Sequence, residues 1–190
     1  MKQKPWKRAL SLVLAFTLVF AMPCVTSVYA KDPVHYVYRW WDTGENKVVD
    51  SNAQTATYQV VNSNNTQWDS GWYVVSGNVT IGSRVTVTGN VNLILTDGCH
   101  LTVNGGIEVE EGNSLTIYEQ SEGTGKLTAT AQRGTLNAGI GGNGSSDSGE
   151  TGGAIIIHGG KVTATGNNGA GIGGSSGSAG GTVTIFGGTV

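Results

Sequence analysis

Val79-Thr-Ile-Gly-Ser-Arg-Val-Thr-Val87 lies over Leu101-Thr-Val-Asn-Gly-Gly-Ile-Glu-Val109 at an offset of 22 residues, and this pair decides the fold. The same offset takes Leu93-Ile-Leu95 onto Leu115-Thr-Ile117. Further along, Gly125-Lys-Leu-Thr-Ala-Thr130 recurs as Gly160-Lys-Val-Thr-Ala-Thr165, and Ala138-Gly-Ile-Gly-Gly142 as Ala170-Gly-Ile-Gly-Gly174. Gly152-Gly-Ala-Ile-Ile-Ile-His-Gly-Gly160 returns as Gly180-Gly-Thr-Val-Thr-Ile-Phe-Gly-Gly188. Internal repeats with connections of varying length mark a stacked architecture.

Each repeat carries very short apolar-polar-apolar triplets. Side chains alternate across a strand, so the first and third residues of a triplet share one face and the middle Thr or Asn takes the other. A three-residue strand buries nothing alone. Stacked on its counterpart about 4.8 Å away, it completes a hydrogen-bonded ladder and an apolar column. The expected coils are Val79–Ile81, Val85–Val87 and Leu93–Leu95; Leu101–Val103, Ile107–Val109 and Leu115–Ile117; Leu127–Ala129, Ala138–Ile140 and Ile155–Ile157; Val162–Ala164, Ala170–Ile172 and Val183–Ile185. Val190 opens a fifth, so the chain reads as truncated there. This predicts an all-β, parallel β-helix of about four coils over 77–190. A β-sandwich is the competing all-β arrangement, but it rarely repeats its own sequence. Gly141 to Gly153 holds no large apolar residue and is expected to protrude as a flexible loop.

Outward from the repeats, residues 1–30 are excluded from the fold. Lys2, Lys4, Lys7 and Arg8 precede an apolar run from Ala9 to Met22, and Val28-Tyr29-Ala30 supplies small residues for cleavage. That is the layout of a secretory signal peptide. The remaining 160 residues hold seven of the eleven Lys and Arg and all thirteen acidic residues, a net charge of −6. Such a balance argues against nucleic acid or an anionic membrane surface as partner. Cys99 alone remains after cleavage, so no intrachain disulfide forms and the thiol is expected to be a buried apolar filler.

Gly71-Trp-Tyr-Val-Val75 through Leu93-Ile-Leu-Thr-Asp-Gly-Cys99, followed by the Ala-Gly-Ile-Gly-Gly repeats, resembles secreted surface proteins of gut Firmicutes labelled carbohydrate-binding-domain or cell-surface repeat proteins. The resemblance covers roughly residues 71 to 190. It implies a right-handed, pectate-lyase-like β-helix and a secreted location, with cell-wall attachment through a further C-terminal region.

Chemistry needs tighter clusters than the sequence offers. Hydrolysis of sugars takes two carboxylates about 5 Å apart or more, and lyases take acid-bound Ca²⁺ plus a base. The 22-residue offset stacks Asp97 beneath Glu119, the best pair for a weak Ca²⁺ site. Glu108 and Glu110 share an outward strand face, with Arg84 one coil below and nearest Gly106. Gly141-Gly-Asn-Gly-Ser-Ser-Asp147 approximates a Ca²⁺-binding nonapeptide turn, with its Asp one place late. His35, His100 and His158 lack metal-ligand spacing and are expected on the surface or in turns.

Eight of the ten aromatic residues after residue 30 fall between Tyr36 and Tyr73. Tyr36, Tyr38 and Trp40 alternate onto one strand face, and Trp68 and Trp72 follow. One expectation is that residues 31–76 form an aromatic β cap over the open end of the coils. The other is a sugar-stacking platform of Tyr36, Tyr38, Trp40, Trp68 and Trp72. The leading functional expectation is therefore a monomeric, secreted, non-catalytic module that binds a polysaccharide, or a host or cell-wall glycan. The alternatives are a polysaccharide lyase or glycoside hydrolase, and a structural stalk within a larger surface protein.

Overall fold

The computed structural model describes residues 32–144 and 149–190. The expected signal peptide lies outside them, as does Asp147. The described residues form fifteen strands and no helix: β1 (Val34–Asp42), β2 (Lys47–Thr55), β3 (Gln59–Val60), β4 (Gln67–Val75), β5 (Asn78–Ile81), β6 (Val85–Leu95), β7 (His100–Gly105), β8 (Ile107–Glu108), β9 (Ser114–Glu119), β10 (Lys126–Ala131), β11 (Ile140–Gly141), β12 (Ala154–Ile157), β13 (Lys161–Thr165), β14 (Ile172–Gly173) and β15 (Thr182–Ile185).

The apolar-polar-apolar triplets pair in parallel, but not all from their first residues: Ile140, and not Ala138, stands on Ile107, because β11 is only Ile140–Gly141. Val79 stands on Leu101, Leu101 on Leu127, and Leu127 on Val162. Val85, Ile107, Ile140 and Ile172 form a second column, and Leu115, Ile155 and Val183 a third. Most of these side chains are fully enclosed, and each contributes about 1.5–3 kcal/mol by leaving water. Cys99 sits among them, 1% exposed, and burial raises its thiol pKa.

The whole is not a regular right-handed parallel β-helix. Its strands fall into an eleven-stranded mixed sheet and a separate four-stranded parallel sheet, β13-β10-β7-β5. Two features break the expected regularity. β6 runs for eleven residues straight through two expected triplets, because Gly89, at φ 74°, stays inside the strand instead of turning a corner. β4 follows it with a register shift between Asp69 and Gly71. The second feature is antiparallel pairing: β1 and β2 form a hairpin, and Val37 of β1 bridges Glu119 of β9. Asp42 closes the hairpin turn by accepting from the amides of Gly44 (2.8 Å) and Glu45 (3.0 Å), and Asn46 takes the left-handed conformation at φ 51°.

Register is also corrected. The offset of 22 holds for Val79–Leu101 and Val85–Ile107, but Leu93 pairs with Ile117, an offset of 24. The two extra residues are taken up where Asn113 donates its amide to the Glu110 carbonyl in a tight turn. The aromatic segment divides accordingly. Trp68 and Tyr73 are 0% and 2% exposed and fill the core where β4 stacks on β6. The β1–β2 hairpin lies against the outer face of the large sheet.

Candidate functional site

The outer face of the large sheet carries its own apolar row. Parallel register sets Val74 beside Ile94 and Ile94 beside Tyr118, and His158 and Phe186 continue the line just past β12 and β15. The rings stack along it: Trp72 on Tyr118 (5.3 Å), Tyr118 on His158 (4.7 Å, planes 5° apart), and His158 on Phe186 (5.3 Å). β1 crosses this row. Its alternation sends Tyr36 against Trp72 (4.8 Å) and Tyr118 (4.7 Å), and Tyr38 against His158 (4.8 Å). A second, smaller apolar cluster results, built on Val74, Ile94 and Tyr118.

Polar contacts fix the hairpin there. The Arg39 amide donates to His158 Nδ1 (3.1 Å), and its guanidinium donates to the His158 carbonyl and pairs with Glu119 (2.6 Å). Glu119 also accepts from the Gly160 amide (2.6 Å). His158 is 3% exposed, so the expectation of a surface or turn residue is overturned by its place between two rings. Burial lowers its pKa, the Arg39 amide opposes that shift, and the Arg39 charge adds to it. Unfolded His protonates near pH 6.5 while the buried ring resists, so stability falls as pH drops below that value. The titratable and charged groups around it are Arg39, Tyr38, Glu119 and Tyr118. His158→Phe keeps the stacking, so the wild-type loss of denaturation midpoint between pH 7 and 5 is expected to exceed the variant's. Parallel profiles would overturn this assignment.

Of the five candidate sugar-binding aromatics, Trp68 is core, and Tyr36 and Trp72 are half-buried in the outer cluster. Tyr38 and Trp40 remain together on the hairpin, their rings 5.6 Å apart and 23° from parallel, with Tyr38 41% exposed. Trp41 points the other way and is half exposed. The two candidate Ca²⁺ carboxylates are each engaged elsewhere. Asp97 accepts from the amides of Glu122 (3.2 Å) and Thr124 (3.3 Å), capping that turn, while Glu119 holds Arg39. The altered register, with Leu95 opposite Glu119, separates their roles.

A different carboxylate cluster assembles at the other edge. One oxygen from each of Glu108, Glu110 and Glu150 lies within 4.8 Å of the others. Hydrogen bonding to Glu150 and then to Glu108, with some burial, pushes the Glu110 pKa up to about 8. Arg84 is not remote from it. Its Nε forms an ion pair with Glu108 at 3.4 Å without a hydrogen bond, and its other nitrogens donate to the carbonyls of Gly105 (2.9 Å), Ala138 (3.2 Å), Gly141 (3.3 Å) and Gly142 (3.2 Å). Three such oxygens can share a proton or contribute to a hard cation's shell. Glu150 escaped sequence reading because it lies in the Gly-rich stretch expected to protrude. Gly141, Gly142, Gly152 and Gly153 of that stretch are buried instead, since each packs against backbone of a neighbouring layer.

No family model, curated protein or solved structure matches the chain. Among the described residues, no helix is long and apolar enough to cross a membrane.

Proposed function

We propose that the protein is an exported, non-catalytic carbohydrate-binding module whose sugar platform is the Tyr38–Trp40 pair. The observation that supports this reading most directly is the near-parallel pair of rings, of which Tyr38 stays 41% exposed beside its contact with His158 and Trp40 is half-buried. Aromatic faces pack against the apolar C–H faces of pyranoses, and a ring already held by neighbours loses little freedom on binding. Tyr38 is held in this way by His158 at 4.8 Å, and β1 is locked by Arg39. Trp68, Tyr36 and Trp72 are assigned to packing, which narrows the platform to two residues.

Screening the purified protein on immobilised glycans tests this reading. Trp40→Ala is expected to weaken any bound glycan at least about tenfold, the loss of roughly one stacked ring. Trp41→Ala, on the opposite strand face, is expected to leave affinity unchanged. Equal loss in both variants, or no glycan bound by a folded protein, would count against the platform.

A further inference from the structure

We propose that the outer face of the four-stranded sheet β5-β7-β10-β13 binds a linear anionic polysaccharide, gripped through Lys126 and Lys161. This goes beyond the Tyr38–Trp40 reading and does not depend on it. The repeats Gly125-Lys-Leu-Thr-Ala-Thr130 and Gly160-Lys-Val-Thr-Ala-Thr165 place a lysine at the same step of successive layers. Register pairs Lys126 directly with Lys161 on one side and with His100 on the other, and His100 with Asn78. Leu127 and Val162 point inward, so the preceding lysines point outward, and both are exposed.

Like charges directly opposite one another on neighbouring strands repel. Neither lysine takes part in the ion pairs found among the described residues, which involve Arg39, Lys47 and Arg84. No acidic residue lies in any of the four strands, although the chain has thirteen. Lysines do guard exposed sheet edges against pairing, and β13 is the last strand of this sheet, bridged beyond Lys161 by Thr189. β10 is not: it is covered by β7 on one side and β13 on the other. Edge protection thus leaves Lys126 unexplained.

A polyanion explains both. Stacked strands repeat about every 4.8 Å, close to the length of one pyranose in an extended chain. Two adjacent sugars would then present their acidic groups to Lys126 and Lys161, with His100 and Asn78 continuing the row. Beside the basic row runs a parallel row of Thr80, Thr102, Thr128 and Thr163, whose hydroxyls suit sugar hydroxyls. A cleft of about 420 Å³ opens at the row, lined by Asn78, His100, Thr124, Lys126 and Lys161 among others.

Retention on immobilised polygalacturonate, a uronate polymer, tests the proposal, with amylose as the neutral polymer and a single-stranded oligonucleotide as the phosphate polyanion. Retention is expected on the uronate polymer, and it should fall as salt is raised. The double variant Lys126→Gln/Lys161→Gln is expected to bind at least about tenfold more weakly. Its melting temperature should match or exceed that of the wild type, because the repulsion is relieved, and Lys126→Arg/Lys161→Arg should retain binding. Trp40→Ala should bind the uronate polymer as the wild type does, which separates this site from the aromatic platform. Equal retention on amylose, stronger retention on the oligonucleotide, or undiminished binding by the folded glutamine variant would overturn the proposal.

Discussion

Arg84→Ala is expected to destabilise the protein by about 3–5 kcal/mol, the range found when one partner of a buried ion pair is removed. The Arg84 side chain is only 15% exposed. Its guanidinium donates to four carbonyls drawn from the two layers that follow its own, so it ties β7 to the turns around β11. Truncation leaves the carbonyls of Gly105 and Ala138 facing a void, each costing part of its desolvation penalty. It also leaves Glu108 without its counter-charge beside Glu110 and Glu150. Desolvation works to lower the Arg84 pKa, and the Glu108 carboxylate offsets it, so removal of either partner exposes the other's cost. Arg84→Lys should be intermediate, since an ammonium cannot span four acceptors in one plane. Glu108→Gln should cost less than Arg84→Ala, because the Thr86 hydroxyl (3.3 Å) still has an acceptor. Urea denaturation midpoints rank the three. An Arg84→Ala midpoint within error of the wild type would refute the tie.

Arg84 also marks where sequence reading stopped. The stacked columns were legible because their signal is local: an aliphatic at every second place, repeated. The stacking of Leu101 on Leu127, and of Leu127 on Val162, follows from that periodicity. What was not legible depends on backbone direction. Gly89 can either turn a corner or sit as an irregularity inside a strand, and its φ of 74° is compatible with both. Choosing the second merges two triplets into β6, and with the β1–β2 hairpin this replaces a regular coil by a mixed sheet. The site residues divide the same way. Tyr38 and Trp40 share a face by strand alternation, which sequence gives directly. Arg39 meets His158 across 119 residues, and Glu119 meets Gly160 across 41, through a hairpin docking that no repeat encodes. Phe186 and His158 occupy equivalent repeat positions, and that equivalence was the one available sign that His158 belongs to a ring stack.

Gly141→Ala is expected to be at least as damaging, at about 3 kcal/mol or more, and the reason is the spacing of the layers. Gly141 adopts φ 132°, a conformation that costs a side-chain-bearing residue about 1–3 kcal/mol by itself. A Cβ built there falls well inside contact with the Gly173 carbonyl oxygen and 2.9 Å from its carbon. That oxygen cannot retreat freely, because it accepts from the Gly142 amide at 2.9 Å, while the Gly141 carbonyl accepts from Val109 at 2.9 Å. Parallel pairing of Ile140–Gly141 with Ile107–Glu108 on one side and Ile172–Gly173 on the other holds all three layers in register. Relief would require breaking a ladder bond or parting β11 from β14. Gly77→Ala supplies the comparison: its φ is 69°, yet a Cβ there meets nothing within 4 Å. Only the backbone term remains at that position, about 1–2 kcal/mol. A difference of roughly 2 kcal/mol between the two variants would therefore measure the close approach of the layers themselves. Equal midpoints for Gly77→Ala and Gly141→Ala in urea would mean that β14 yields without cost, and that the stack is looser than its hydrogen bonds imply.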